Sequence, residues 1–133
     1  MVPMDGAEAQ RIAEELNACI VSFDCERFEA LLSPGALVWH NTDHQLMDAA
    51  LSFRQSAELP HAIEEFEIRI ERLIPTVSGY VQTFVMAGRV RETGRRFEAS
   101  NCLIVECSDG RVTRIDEYID PVLLEAFSQD RAS

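Results

Sequence analysis

The feature that most constrains this chain is a change of hydrophobic period near its middle. Before Pro60 apolar residues recur at spacings of three and four, and after it they recur at every second position. In the first half, Asp5-Gly6-Ala7-Glu8 has capping-box form, and Ala9, Ile12, Ala13, Leu16, Ile20 and Phe23 follow as one helical stripe. Asp24 is placed to cap a short second helix with Phe28, Leu31 and Leu32 inward, ended by Ser33-Pro34-Gly35. Ala36 to Asn41 reads as a short strand. Thr42 or Asp43 then caps a third helix whose stripe is Leu46, Ala50, Phe53 and Ala57, up to Pro60.

In the second half, Phe66, Ile68, Ile70 and Ile74 alternate with Glu65, Glu67, Arg69 and Glu71, which predicts a strand with one wet face, broken at Pro75. Tyr80 to Arg91 and Phe97 to Cys107 are two more strands joined by a turn at Glu92-Thr93-Gly94-Arg95. Ser108-Asp109-Gly110 turns into a last strand, and Val122, Leu123, Leu124 and Phe127 follow in a tail that covers an apolar edge as a short helix or arm. Helices in front of sequential hairpins predict an α+β fold, with N-terminal helices packed on one face of a strongly curved antiparallel sheet. Such layers can leave a pocket between them.

Length agrees with one domain over residues 1–133, large enough for a real core. The net charge of −11, with no basic cluster carrying interleaved aromatics, argues against nucleic acid and anionic membranes as partners. Arg89, Arg91, Arg95 and Arg96 read as solubilising charge at a sheet edge. The four cysteines, Cys19, Cys25, Cys102 and Cys107, form no C-x-x-C pair, and no basic segment followed by an apolar one opens the chain. Reduced core cysteines in a cytoplasmic protein are expected. Apolar runs are too short to span a membrane.

The last strand carries the chemistry. One phase of Gly110 to Asp120 sets Glu117 between Ile115 and Ile119, where lost hydration raises a carboxylate's pKa toward the range of acid–base work. The other phase, anchored by Val112 and Tyr118, would leave Glu117 solvated, and the alternation alone does not choose between them. His40 shares a strand phase with Ala36 and Val38, as a core histidine or as a proton-transfer group. Asn101, in phase with Leu103 and Val105, is a buried amide that needs a partner, either a ligand carbonyl or Glu117 on the adjacent strand. His40, Glu117 and Asn101 are therefore the candidate catalytic residues, and their neighbours Trp39, Asn41, Asp116 and Tyr118 the candidate substrate contacts. Asn41 and Asp43 could orient His40 or cap the following helix. His40 and His44 have no third ligand at a recognisable spacing, so no metal is expected, and no phosphate loop or Ser-His-Asp pattern calls for a nucleotide or other cofactor.

The segments Leu32 to Asp43, Gly79 to Gln82 and Asp109 to Asp120 resemble the nuclear transport factor 2-like superfamily, in particular its SnoaL-like and ketosteroid isomerase-like bacterial branch. The resemblance covers nearly the whole chain. It implies a cone-shaped half-barrel with a deep apolar pocket, usually in a homodimer. Similarity to the ketosteroid isomerases puts His40 where their general-base Asp stands, about Ile12 where they have a Tyr, and Asn101 or Cys102 where they have a protonated Asp. Similarity to limonene epoxide hydrolases puts Glu117 on their water-activating Asp, before Tyr118. The Arg and second Asp of that family have no counterpart among Thr83, Phe84, Val85, Met86 and Ala87. The SnoaL-like cyclases, which need one acid or base beside a shaping pocket, are the nearest enzymatic likeness. The expectation is a cofactor-independent isomerase or cyclase acting on a small hydrophobic carbonyl or polyketide-like molecule. The alternative is a non-catalytic ligand-binding or dimerisation module of the same fold.

Overall fold

The computed structural model describes residues 3–56 and 58–128. Helix α1 (Gly6–Ser22) buries Ala9, Ile12, Ala13 and Leu16 of the expected stripe together with Cys19, while Ile20 and Phe23 are half-buried. Asp5 is its N-cap residue but makes no side-chain capping bond, so the box motif marks the boundary without closing it. Helix α2 (Cys25–Ala30) starts on Asp24, whose carboxylate accepts the Arg27 N–H at 3.1 Å. The chain then enters strand β1 (Leu32–His40) four residues earlier than Ala36, and Gly35 at φ 76° lies within an irregularity of its pairing.

The third helix differs from the reading of Thr42 or Asp43 as its cap. His44 at φ 57° and Asp43, which accepts the Gln45 N–H, make a tight turn into strand β2 (Gln45–Asp48). Leu46 pairs with Trp39 there and is 49% exposed instead of lining a helix. Asp48 is the cap of helix α3 (Ala49–Gln55), accepting the Leu51 N–H, and Pro60 sits inside a further short helix, α4 (Glu58–Ala62). An Asp side chain satisfies a turn N–H as readily as a helix N–H, so the wrong Asp was read as the cap. Ala57, the last residue of the expected stripe, lies outside the described residues.

Strands β3 (Ile63–Pro75), β4 (Gly79–Val90), β5 (Arg96–Ser108) and β6 (Arg111–Tyr118) form the antiparallel meander read from the alternation, and helix α5 (Pro121–Ser128) follows. The sheet order is β2-β1-β6-β5-β4-β3, and β1 joins β6 in parallel, so the six-stranded sheet is mixed. Two pairing irregularities in β3 bend the strand. The second moves Leu73 to the inner face and Ile74, 40% exposed, to the outer one. A Cβ on Gly79 would lie 1.8 Å from the Val105 carbonyl oxygen, so the curled strands approach at a distance that only glycine permits. Helices α1, α3 and α5 pack against β3 and β4, β1 and β5 respectively. The fold is α+β, a curled, unclosed sheet around its helices.

Candidate active site

The register of the sheet decides which polar side chains share its inner face. Gln82 is paired with Leu103, Leu103 with Glu117, and Glu117 with His40, one row running across four strands. Asn17 on α1 contacts Gln82 through two reciprocal amide bonds of 3.4 and 3.2 Å, which marks this row as facing the helices. The phase question in β6 is settled by a bulge. Between Val112 and Arg114 two residues of β6 oppose a single step of β5, so Val112 and Ile115 both turn inward and Glu117 follows Ile115.

His40 and Glu117 meet at the last paired positions of two parallel strands. Nε2 of His40 lies 3.1 Å from Oε1 of Glu117, with the side chains 18% and 19% exposed, a half-buried pair that solvent still reaches. The hydrogen bond to Glu117 raises the pKa of His40 above its ordinary 6.5; burial opposes this, and the charges of Glu117 and Asp43 add to it. Glu117 is thus one half of a hydrogen-bonded pair with His40, not an isolated side chain in an apolar strand.

Asn101, only 4% exposed, lies on the same face, beside Glu117 as a diagonal neighbour roughly 7–8 Å away. Its Oδ1 accepts the Asp120 N–H at 2.9 Å, while its buried Nδ2 has no partner. A buried amide donor left without a partner is costly and stands out among the polar groups of this face. The Tyr80 hydroxyl is likewise buried and unpartnered, and burial drives its pKa well above the usual phenol value.

The expected substrate contacts do not gather here. Strand alternation puts Trp39, Asp116 and Tyr118 on the outer face, corrected from the grouping with His40 and Glu117. Trp39 stacks on His44 with ring centroids 5.5 Å apart and leans on Tyr118 at 5.3 Å, while Asp116 accepts from Arg114 Nε at 2.7 Å. Asn41 spends both ends of its amide on the backbone of Ile119 instead of capping a helix. Sequence reasoning missed Asn17, Gln82 and Tyr80 as inner-face polar groups. The positions of Asn17 in the Ala13 stripe and of Gln82 between Tyr80 and Phe84 were the available signals.

An open groove of about 700 Å³ bordered by Glu65, Phe66, Gly88 and Phe97, and one of about 220 Å³ beside Ser33, Gly35 and Arg111, are both lined by other residues. The deep apolar pocket implied by the resemblance is neither of these. Among the described residues no three His, Cys, Asp or Glu side chains gather as a metal site, and no helix is long and apolar enough to cross a membrane. The cysteines are free, and burial pushes the Cys107 thiol up to about 11, which keeps it protonated at neutral pH.

No protein-family model matches the chain, and none of the curated proteins matches it. Solved structures do. A candidate SnoaL-like polyketide cyclase from Jannaschia sp. CCS1 superposes with a TM-score of 0.80 at 13% identity, covering 96% of this chain and 98% of its own. An NTF2-like protein from Burkholderia xenovorans LB400 gives 0.67 at 22% identity over 92% and 98%. A hypothetical protein with a ketosteroid isomerase-like fold from Catenulispora acidiphila DSM 44928, in complex with trimethylamine, gives 0.74 at 13% identity over 87% and 92%. The curled sheet, its strand order and these superpositions together establish that the chain has the nuclear transport factor 2-like fold shared by SnoaL-like and ketosteroid isomerase-like proteins.

Proposed function

We propose that this protein is a cofactor-independent acid–base enzyme of the isomerase or cyclase type, acting on a small hydrophobic carbonyl or polyketide-like substrate held against the inner face of the sheet. The observation that carries this reading is the His40–Glu117 pair, half-buried at 3.1 Å with the unpartnered Asn101 Nδ2 on the same face. A pair that holds one proton offers an acceptor and a donor together. Glu117 takes a proton from the carbon α to the carbonyl, the electron pair of the broken C–H bond forms the enolate C=C bond as the carbonyl π pair moves onto the oxygen, and Asn101 Nδ2 donates to that oxygen. His40 returns a proton to carbon, and the pair recovers its own from the carboxylic acid formed at Glu117. The same reading places two copies of the chain together through the outer sheet face, where Leu46, Ile74 and Tyr118 are exposed beside half-buried Val81 and Ile104.

The test is hydrogen–deuterium exchange at the α-carbon of small hydrophobic ketones and β-dicarbonyl compounds in D2O, followed by NMR. The wild-type protein is expected to accelerate exchange, and Glu117→Gln to lose ~100-fold or more of that rate. Exchange no faster than in buffer across the panel, or an undiminished Gln variant, would sink the proposal. A ligand-binding or dimerisation module of the same fold is the second reading, favoured by the oxygens of Asn41 and Asn101, which already serve the backbone of Ile119 and Asp120. Saturable binding of a panel compound without exchange is its signature.

A further inference from the structure

The His40–Glu117 pair stands where its two strands run out. The parallel register of β1 and β6 ends at His40 opposite Glu117, and parallel ladders are slightly weaker per residue than antiparallel ones. Beyond that point Asn41 continues the ladder by other means. Its N–H donates to the Glu117 carbonyl at 3.0 Å. Its side-chain Oδ1 accepts the Ile119 N–H at 2.8 Å, and its Nδ2 donates to the Ile119 carbonyl at 3.3 Å. A primary amide that serves the N–H and C=O of a single residue does what a neighbouring strand does in a hydrogen-bonded pair. These three bonds fix the β6 backbone at Glu117 and again two residues on, while the opposite edge of β6 is held by Tyr118 pairing with Cys102. On the other side of the pair, the His44 N–H donates to the His40 carbonyl at 2.8 Å and closes the turn.

We infer that Asn41 is a positioning residue, an amide clamp that holds the ends of β1 and β6 in register so that the imidazole of His40 and the carboxylate of Glu117 face each other at bonding distance. This inference rests on the pair as the working site named above, yet it concerns geometry that exists without substrate. The side chain of Asn41 is committed to main chain on both polar atoms, so its effect on the imidazole and the carboxylate passes through backbone placement.

The experiment follows the ring resonances of His40 by NMR as pH is raised, in the wild type and in Asn41→Ala. The charged groups that act on His40 are Glu117 and Asp43, and neither is altered by the substitution. In the wild type the His40 midpoint is expected above 6.5, and in Asn41→Ala it is expected to fall back toward 6.5. Asn41→Ser, polar but too short to reach both Ile119 groups, gives the same fall if the Ala variant does not fold. An unchanged His40 midpoint in a folded variant overturns the inference, and so does loss of fold in both variants, which would make Asn41 a stability residue only. Failure of the acid–base proposal reads differently, as absence of catalysed exchange in a wild type whose His40 midpoint still depends on Asn41.

Discussion

A histidine whose proton is held by a carboxylate binds that proton more tightly in the folded than in the unfolded chain, and His40 is in that position beside Glu117. Because its folded pKa is raised, the stability it contributes is fully present below the unfolded value near 6.5 and is lost as pH climbs through the folded value. Urea denaturation of the wild type across neutral pH should therefore show this decline, and His40→Gln should flatten it; an equal slope in both proteins would refute the linkage. A second residue-scale prediction concerns Gly79. The Cβ of Gly79→Ala would meet the Val105 carbonyl oxygen at 1.8 Å, a main-chain atom that cannot rotate away, so the variant should lose roughly 1–3 kcal/mol in the same assay. Glu117 was legible in the sequence because it alternates with Ile115 and Ile119. The clamp of Asn41 was not, since its partners are backbone groups 78 residues away and have no sequence signature.

At the scale of elements, the meander was read correctly because β3 and β5 alternate over many residues and Gly94 and Gly110 mark the turns on either side of β5. Asp109 and Gly110, at φ 53° and 78°, show the left-handed pair such a turn demands. The segment from Thr42 to Pro60 was not, because a four-residue strand and two short helices are too brief to display a period. The cap that does exist there is testable. Asp48→Ala removes the acceptor for the Leu51 N–H and should lower stability by about 1 kcal/mol, whereas Asp43→Ala should leave α3 intact. Equal effects of the two substitutions on the helical circular dichroism would contradict this assignment. The bulge at Thr113 lies between the two phases weighed for the last strand: period-2 reasoning assumes an uninterrupted ladder, and one inserted residue allows Val112 and Glu117 to face the same side.

At the scale of the molecule, helices against a curled sheet were visible in the order of periods, but the parallel union of β1 with β6 was not, because it joins segments nearly 80 residues apart with an apolar pattern common to both pairings. That union is what brings His40 to Glu117, so the candidate site was legible as separate residues and assembled only in the fold. The outer face bears on assembly. A homodimer through it predicts sedimentation at twice 15.0 kDa at low micromolar concentration, and Ile104→Arg should return the protein to a single chain; a wild type that sediments as a monomer would remove the dimer. The central claim is that His40, Glu117 and Asn101 form one ligand-reachable site on the inner face, and titration of the isotope-labelled protein with a small planar phenol, a stable likeness of an enolate, tests it most directly. The account predicts saturable shifts of the His40 ring and the Asn101 side-chain amide, with the indole of Trp39 on the outer face unmoved. Shifts confined to Trp39 and its neighbours, or none at His40 and Asn101, would contradict it.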